Sequence, residues 1–174
     1  IGEDVDKVVK NTLSLRFFFA LAVLVSSLIL VTALPYDTSI KWSILIIALS
    51  IIWSSQTSVY TALFQSKLKM DLATTSEVFG KLLGLGLILI ATNLSLGLVY
   101  VVGASVLSTF FNYIFSFIFS LRYAKPGYLF DRQYSKSFVI DALPIGVVSI
   151  LGLLYFKIDM VILSLFKGSF DVGI

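Results

Sequence analysis

The chain has 174 residues, 58% of them hydrophobic and only 13% charged, with a net charge of +3. Globular domains carry about 25% charged residues, so this chain cannot cover an aqueous surface, and most of it must face lipid. It has no Cys and no His, which excludes disulfide frameworks, thiolate or imidazole metal sites, Cys nucleophiles and His-based triads.

Residues 1–13 place Val5, Val8, Val9 and Leu13 near one face. They read either as an interfacial helical lead-in or as a solvated turn running into the first span. The first apolar run is Phe17 to Leu34, stopped by Pro35, Tyr36 and Asp37. At about 1.5 Å per residue it approaches the ~30 Å hydrocarbon core. No small-residue cleavage site follows it and further runs do, so it is not a signal peptide. The second run is Trp42 to Phe64. A polar turn with Lys67, Lys69 and Asp71 precedes the third, Val78 to Thr92. The fourth is Leu98 to Leu121. Arg122 to Ser137 is the longest connection and the candidate hinge. The fifth run, Phe138 to Phe166, is interrupted at Pro144. Runs such as Leu82 to Ile90 and Phe17 to Ile29 lack the strict in-out alternation that a membrane β-barrel needs. The fold class is an all-α membrane protein with five transmembrane helices. The chain starts at Ile1 rather than Met, and we expect it to be an internal piece of a longer protein.

Ten of the thirteen basic residues fall on one side of these runs: Lys7, Lys10, Arg16, Lys67, Lys69, Lys81, Arg122, Lys125, Arg132 and Lys136. Lys41 and Lys167 fall on the other, and Lys157 lies within a run. In short loops such a bias sets orientation, so the basic side is expected to be cytoplasmic. Tyr36 and Trp42 then belong to the outer aromatic belt, and Tyr123, Tyr128 and Tyr134 to the inner one. Charges at span ends are topology determinants, and no nucleic-acid partner is expected.

Polar atoms in a bilayer must face protein or water. In the second run Ser50, Ser54, Thr57, Ser58 and Thr61 recur every three or four residues and make one helix face, continued by Gln65. Ser105, Ser108, Thr109, Asn112, Ser116 and Ser120 do the same in the fourth. Each stripe reads either as a cavity wall or as a helix–helix contact. Gly80, Gly84 and Gly86 let a second backbone approach the third run. Glu77 and Lys81 have the favourable order for an i,i+4 ion pair, read as structural and near the interface. The fifth run contains Y-F-K-I-D-M, with Lys157 and Asp159 inside the apolar stretch. At about 100° per residue the two project roughly 160° apart, so each needs a partner elsewhere. Asp159 is too short to snorkel, whereas Lys157 can. Both are candidates for a substrate or ion pathway, and an interhelical ion pair is the structural alternative. Asp71 and Asp131 stand singly, and no phosphate-cradling G-x-x-x-x-G-K-[ST] occurs. No catalytic residue and no metal site is expected, which leaves transport or passive structure.

Residues 141–174, D-A-L-P-I-G through Y-F-K-I-D-M to F-D-V-G-I, resemble the seventh transmembrane helix of bacterial lipid-linked oligosaccharide flippases. These belong to the multidrug/oligosaccharidyl-lipid/polysaccharide exporter superfamily. The shared features are Pro144, Asp159, Leu163, Gly168 and Asp171-Val172-Gly173. F-Q-S-K-L-K-M at 64–70, leading to Glu77 and Lys81, is similar to the family's link between helices four and five. The resemblance implies helices three to seven of about twelve to fourteen in a two-bundle, alternating-access transporter.

The organisation it implies is as follows. Residues 1–13 form a cytoplasmic juxtamembrane segment, and 14–121 four helices of the first bundle. Residues 122–137 form a cytoplasmic loop, 138–166 the helix opening the second bundle, and 167–174 an outer loop and the start of the next helix. The function implied is flipping of polyprenyl-diphosphate-linked oligosaccharide across the cytoplasmic membrane for polysaccharide biosynthesis. Lys157 would attract the diphosphate, and Asp159 would bind a coupling proton or Na⁺, with no other cofactor. Asn112, Ser116, Ser54 and Thr57 would line the path. Partners would be membrane lipid, the lipid-linked oligosaccharide and the remaining helices of the full chain. The alternatives are a drug/cation antiporter of the same superfamily, or a structural membrane subunit with no transport path.

Overall fold

A segment crossing hydrocarbon must satisfy its own backbone hydrogen bonds, and long apolar runs do so as helices. The computed structural model describes residues 2–33 and 38–167, with side-chain surroundings for 5–32, 38–155 and 158. Five helices form: α1 Gly2–Ala33, α2 Thr38–Ser66, α3 Met70–Asn93, α4 Leu98–Ser120 and α5 Arg132–Lys167. No strand occurs among the described residues. Each helix is long and apolar enough to cross a membrane. The protein is an all-α, multi-pass membrane protein.

The helices outrun the apolar stretches that nucleate them. α1 begins at Gly2, so residues 2–13 are helical and continuous with the first span. Its 32 residues extend about 48 Å, well beyond the ~30 Å hydrocarbon core. α5 corrects a second expectation, because it runs through Pro144 without a break. The proline removes one backbone donor, which the flanking turns of a long helix tolerate.

The chain divides into two compact units, Ile1–Phe130 and Asp131–Ile174. In the first unit the helices stand in the spatial order α1, α2, α4, α3. The α3–α4 interface is the most extensive, and α2 touches α3 only slightly. The apolar core lies at the basic end of this unit. Val9 and Leu13 of α1 pack with Val59, Tyr60, Leu63 and Phe64 of α2 and with Ala124. Phe64 is wholly buried, and its ring meets Tyr123 edge-on at 6.3 Å. Tyr60 reaches α4 through Tyr113 and Phe117.

The segment after α4 closes over this core as a strap along α1. The Lys125 backbone N–H donates to Asp6 Oδ1 at 2.9 Å. The Leu129 N–H donates to Ser14 Oγ, also at 2.9 Å. Tyr128 and Phe130 set their rings against Phe17 and Phe18. Of the three expected inner-belt tyrosines, Tyr123 and Tyr128 thus pack on the bundle's own aromatics. In the second unit Asp131 caps α5, its Oδ1 accepting from the N–H groups of Gln133 (3.0 Å) and Tyr134 (3.2 Å). An Asp accepting from these donors is a standard helix start. α5 therefore begins six residues before the apolar run at Phe138.

Orientation has a direct test. With the basic end inside, a membrane-impermeant thiol reagent applied to cells should label Thr38→Cys and spare Lys69→Cys and Asp131→Cys. Labelling of the last two and protection of the first would reverse the topology.

Candidate functional site

Small residues decide how closely two helices approach, and α3 carries Ser76, Gly80 and Gly84 at a strict spacing of four. α4 answers with Ser108, Asn112 and Ser116. Ser108 Oγ donates to the Gly80 carbonyl at 2.8 Å, bonding the two helices directly. A Cβ on Gly84 would lie 2.4 Å from Ser108 Cβ, and one on Gly80 would lie 2.8 Å from Asn112 Cβ. The helices run antiparallel, so the same step sets Ser76 level with Ser116, and both are buried. Asn112 and Ser116 are joined within α4, where Ser116 Oγ donates to Asn112 Oδ1 at 3.4 Å. The geometry of this seam is that of the helix–helix contact.

Ser54 and Thr57 lie elsewhere. Ser54 is exposed and donates to the Ile51 carbonyl, and the half-buried Thr57 donates to that of Trp53. Among the described residues no hydrogen bond joins this α2 pair to Asn112 or Ser116. Lys157 and Asp159 are on α5, and their side chains fall outside the described residues.

Two features were not singled out as site residues from the sequence. The first is the Glu77–Lys81 pair, joined at 2.5 Å and largely exposed on the first unit. Reading the third span from Val78 put it at the membrane entry. The turn after Asn93 fixes the outer end of α3, and a span needs about 20 residues, reaching back to about residue 73. Both charges lie within α3, about two and three turns from its start at Met70, and a charged pair that enters the hydrocarbon must face protein or water. Lys81 of α3 and Ser105 and Ser108 of α4 border an open groove of about 490 Å³ that is otherwise lined by Gly84 and the apolar Val78, Leu82, Leu85 and Ile88. The signal was available as the short third run, only fifteen residues, which is too few to cross.

The second feature is the α1–α2 seam. Arg16 Nη1 donates to Ser58 Oγ, and Ser55 Oγ donates to the Arg16 carbonyl at 3.4 Å. Gln56 is 2% exposed. Its Nε2 donates to the Leu13 carbonyl at 3.3 Å, and its Oε1 has no partner among the described residues. No described carboxylate forms an ion pair with Arg16. In the sequence Arg16 stands at a span end like a topology charge, and Gln56 is the one amide in the second apolar run. The described residues hold no group of three or more acidic side chains, His or Cys that could bind a metal ion.

No curated protein and no solved structure matches the chain. One family model does, described as "polysaccharide biosynthesis protein", over residues 2–174. That match spans both compact units and all five helices, and the chain accordingly belongs to the polysaccharide biosynthesis protein family.

Proposed function

We propose that the protein moves a polyprenyl-diphosphate-linked oligosaccharide across the cytoplasmic membrane by alternating access, as part of a two-bundle transporter. Membership of the polysaccharide biosynthesis protein family carries this reading. The head group of such a lipid is charged and rich in hydroxyls, and hydrocarbon solvates neither. A polar wall must replace water around it while the polyprenyl tail stays in the bilayer. Lys81, Ser105 and Ser108 border the α3–α4 groove, whose other lining side chains, Val78, Leu82, Leu85 and Ile88, are apolar, so most of that wall must come from elsewhere. Lys157 attracts the diphosphate, and Asp159 takes up a coupling proton or Na⁺. No bond is made or broken, so the protein acts as a transporter and not as an enzyme.

A drug/cation antiporter is the second reading. It calls for carboxylates that draw a cation inward. Arg16, bonded to a hydroxyl and to no described carboxylate, favours an anionic cargo instead.

Asp159→Asn tests the transport reading in the full-length protein. It keeps the side-chain shape and removes charge and titration. Surface polysaccharide should disappear and lipid-linked oligosaccharide accumulate, with protein abundance unchanged. Lys157→Ala should weaken transport, and Lys157→Arg should largely restore it. If Asp159 serves only in a structural ion pair, Asn strands a buried cation at about 3–5 kcal/mol, and abundance falls first. Wild-type transport by both Asp159→Asn and Lys157→Ala would remove these residues from the pathway.

A further inference from the structure

At the basic end of the first unit, the start of α3 lies beside the end of α4. The turn before α3 is tight: the Lys69 N–H donates back to the Phe64 carbonyl at 2.8 Å. Leu68 sits in it with φ of 54°, a left-handed conformation that is costly for a branched apolar residue. Leu68 is also 90% exposed. A leucine held in a strained turn, fully outward and flanked by Lys67 and Lys69, suits the interface of a membrane. Its side chain can enter the acyl boundary while the lysines stay among the phosphates.

Beside this turn lies a recess of about 340 Å³. Lys69, Asp71 and Arg122 form its polar rim, and Leu72, Ile118 and Phe119 its apolar side. No described carboxylate forms an ion pair with Lys69 or Arg122. Two cations unneutralised by the one carboxylate, above an apolar floor at the level where two spans meet the membrane surface, suit an anion attached to a hydrocarbon chain. A soluble anion would have no use for the floor.

We propose that this recess binds the phosphate of a membrane lipid, with Lys69 and Arg122 on the phosphate and Ile118 and Phe119 against the adjoining chain. An anionic phospholipid and a polyprenyl diphosphate share this chemistry. The site does not depend on the flipping reading, because a resident phospholipid would occupy it in a protein of any function. Asp71 opposes the ligand's charge and limits affinity.

The test is native mass spectrometry of the detergent-purified full-length protein, titrated separately with phosphatidylglycerol, phosphatidylcholine and undecaprenyl diphosphate. Wild type should retain phosphatidylglycerol or undecaprenyl diphosphate, or both, over phosphatidylcholine. Lys69→Gln and Arg122→Gln should each lower that retention about fivefold, the worth of one basic residue near an anionic surface. Loss of phosphatidylglycerol identifies a phospholipid site. Loss confined to undecaprenyl diphosphate identifies the lipid-linked cargo as the occupant. Asp71→Asn should raise retention, a gain that misfolding cannot mimic. Unchanged retention of both anionic lipids in the Lys69→Gln/Arg122→Gln double variant, or reduced retention in Asp71→Asn, overturns the proposal.

Discussion

Gly84→Ala is expected to lower the stability of the protein by about 1–3 kcal/mol, the usual penalty for overpacking. The new Cβ would stand 2.4 Å from Ser108 Cβ and 2.6 Å from its Oγ, and Ser108 is tied to the Gly80 carbonyl. Gly80→Ala should cost at least as much. Its neighbours at 2.9 Å are the Asn112 backbone nitrogen and the Ser108 carbonyl oxygen, which no rotamer change can move aside. Gly86→Ala is the internal control. A Cβ there meets nothing within 4 Å, so the substitution should be neutral or gain up to about 1 kcal/mol from helix propensity. Ser108→Gly should partly rescue Gly84→Ala and leave Gly80→Ala unrescued. Thermal melting in detergent reads all four. Equal effects at Gly84 and Gly86 would show that the close approach of α3 and α4 does not hold the unit together.

Phe64→Ala should be among the most damaging single changes in the first unit, costing about 3–5 kcal/mol. Between helices in lipid, apolar contact gains little from excluding water, because lipid tails are as apolar as the side chains. Phe64 differs because it closes a core at the end of the bundle, where α1 continues past the hydrocarbon. It packs there with Val9, Leu13, Tyr60 and Ala124. Burial in that place removes apolar surface from water, at about 25 cal/mol per Å². Phe115→Ala, on the α3–α4 side against Phe79, should cost less despite the same side-chain volume. Loss of compaction measured by protease sensitivity at the 121–130 strap would locate the damage. Equal melting temperatures for the two variants would place Phe64 in the bilayer with the rest.

What the sequence could disclose follows from the range of each interaction. Helix number came from composition and from runs of about bilayer length, which are local properties. α4 runs Leu98–Ser120, within one residue of its apolar run. The start of α1 is one of two readings that the face of Val5, Val8, Val9 and Leu13 leaves open; its packing on Tyr60 and Phe64, some fifty residues away, is what no local pattern records. The start of α5 was legible and went unread: Asp131 is a helix cap followed by a continuous helical stretch. The glycines of α3 announced a close approach, but their partners Ser108 and Asn112 emerged only from the antiparallel register. Those two belong to a polar stripe open to two readings, and both lie against the α3 backbone. α3 starts at Met70, eight residues before its apolar run, because the turn at 67–69 and not hydropathy ends the preceding helix. The strap bonds of Asp6 and Ser14 join residues more than a hundred apart in sequence, beyond any periodicity.

On the proposed function, the protein would carry a diphosphate-linked saccharide through the membrane without altering it. The direct measurement is flipping in liposomes, with purified full-length protein and a fluorescent polyprenyl-diphosphate oligosaccharide. An impermeant reagent or saccharide-binding protein reports the fraction accessible from outside. Wild-type protein should make the inner-leaflet pool accessible, and Asp159→Asn protein, reconstituted to the same density, should leave it protected. The lipid should be recovered chemically unchanged. An inner pool that stays protected with well-folded wild-type protein, under both proton and Na⁺ gradients, would contradict the account.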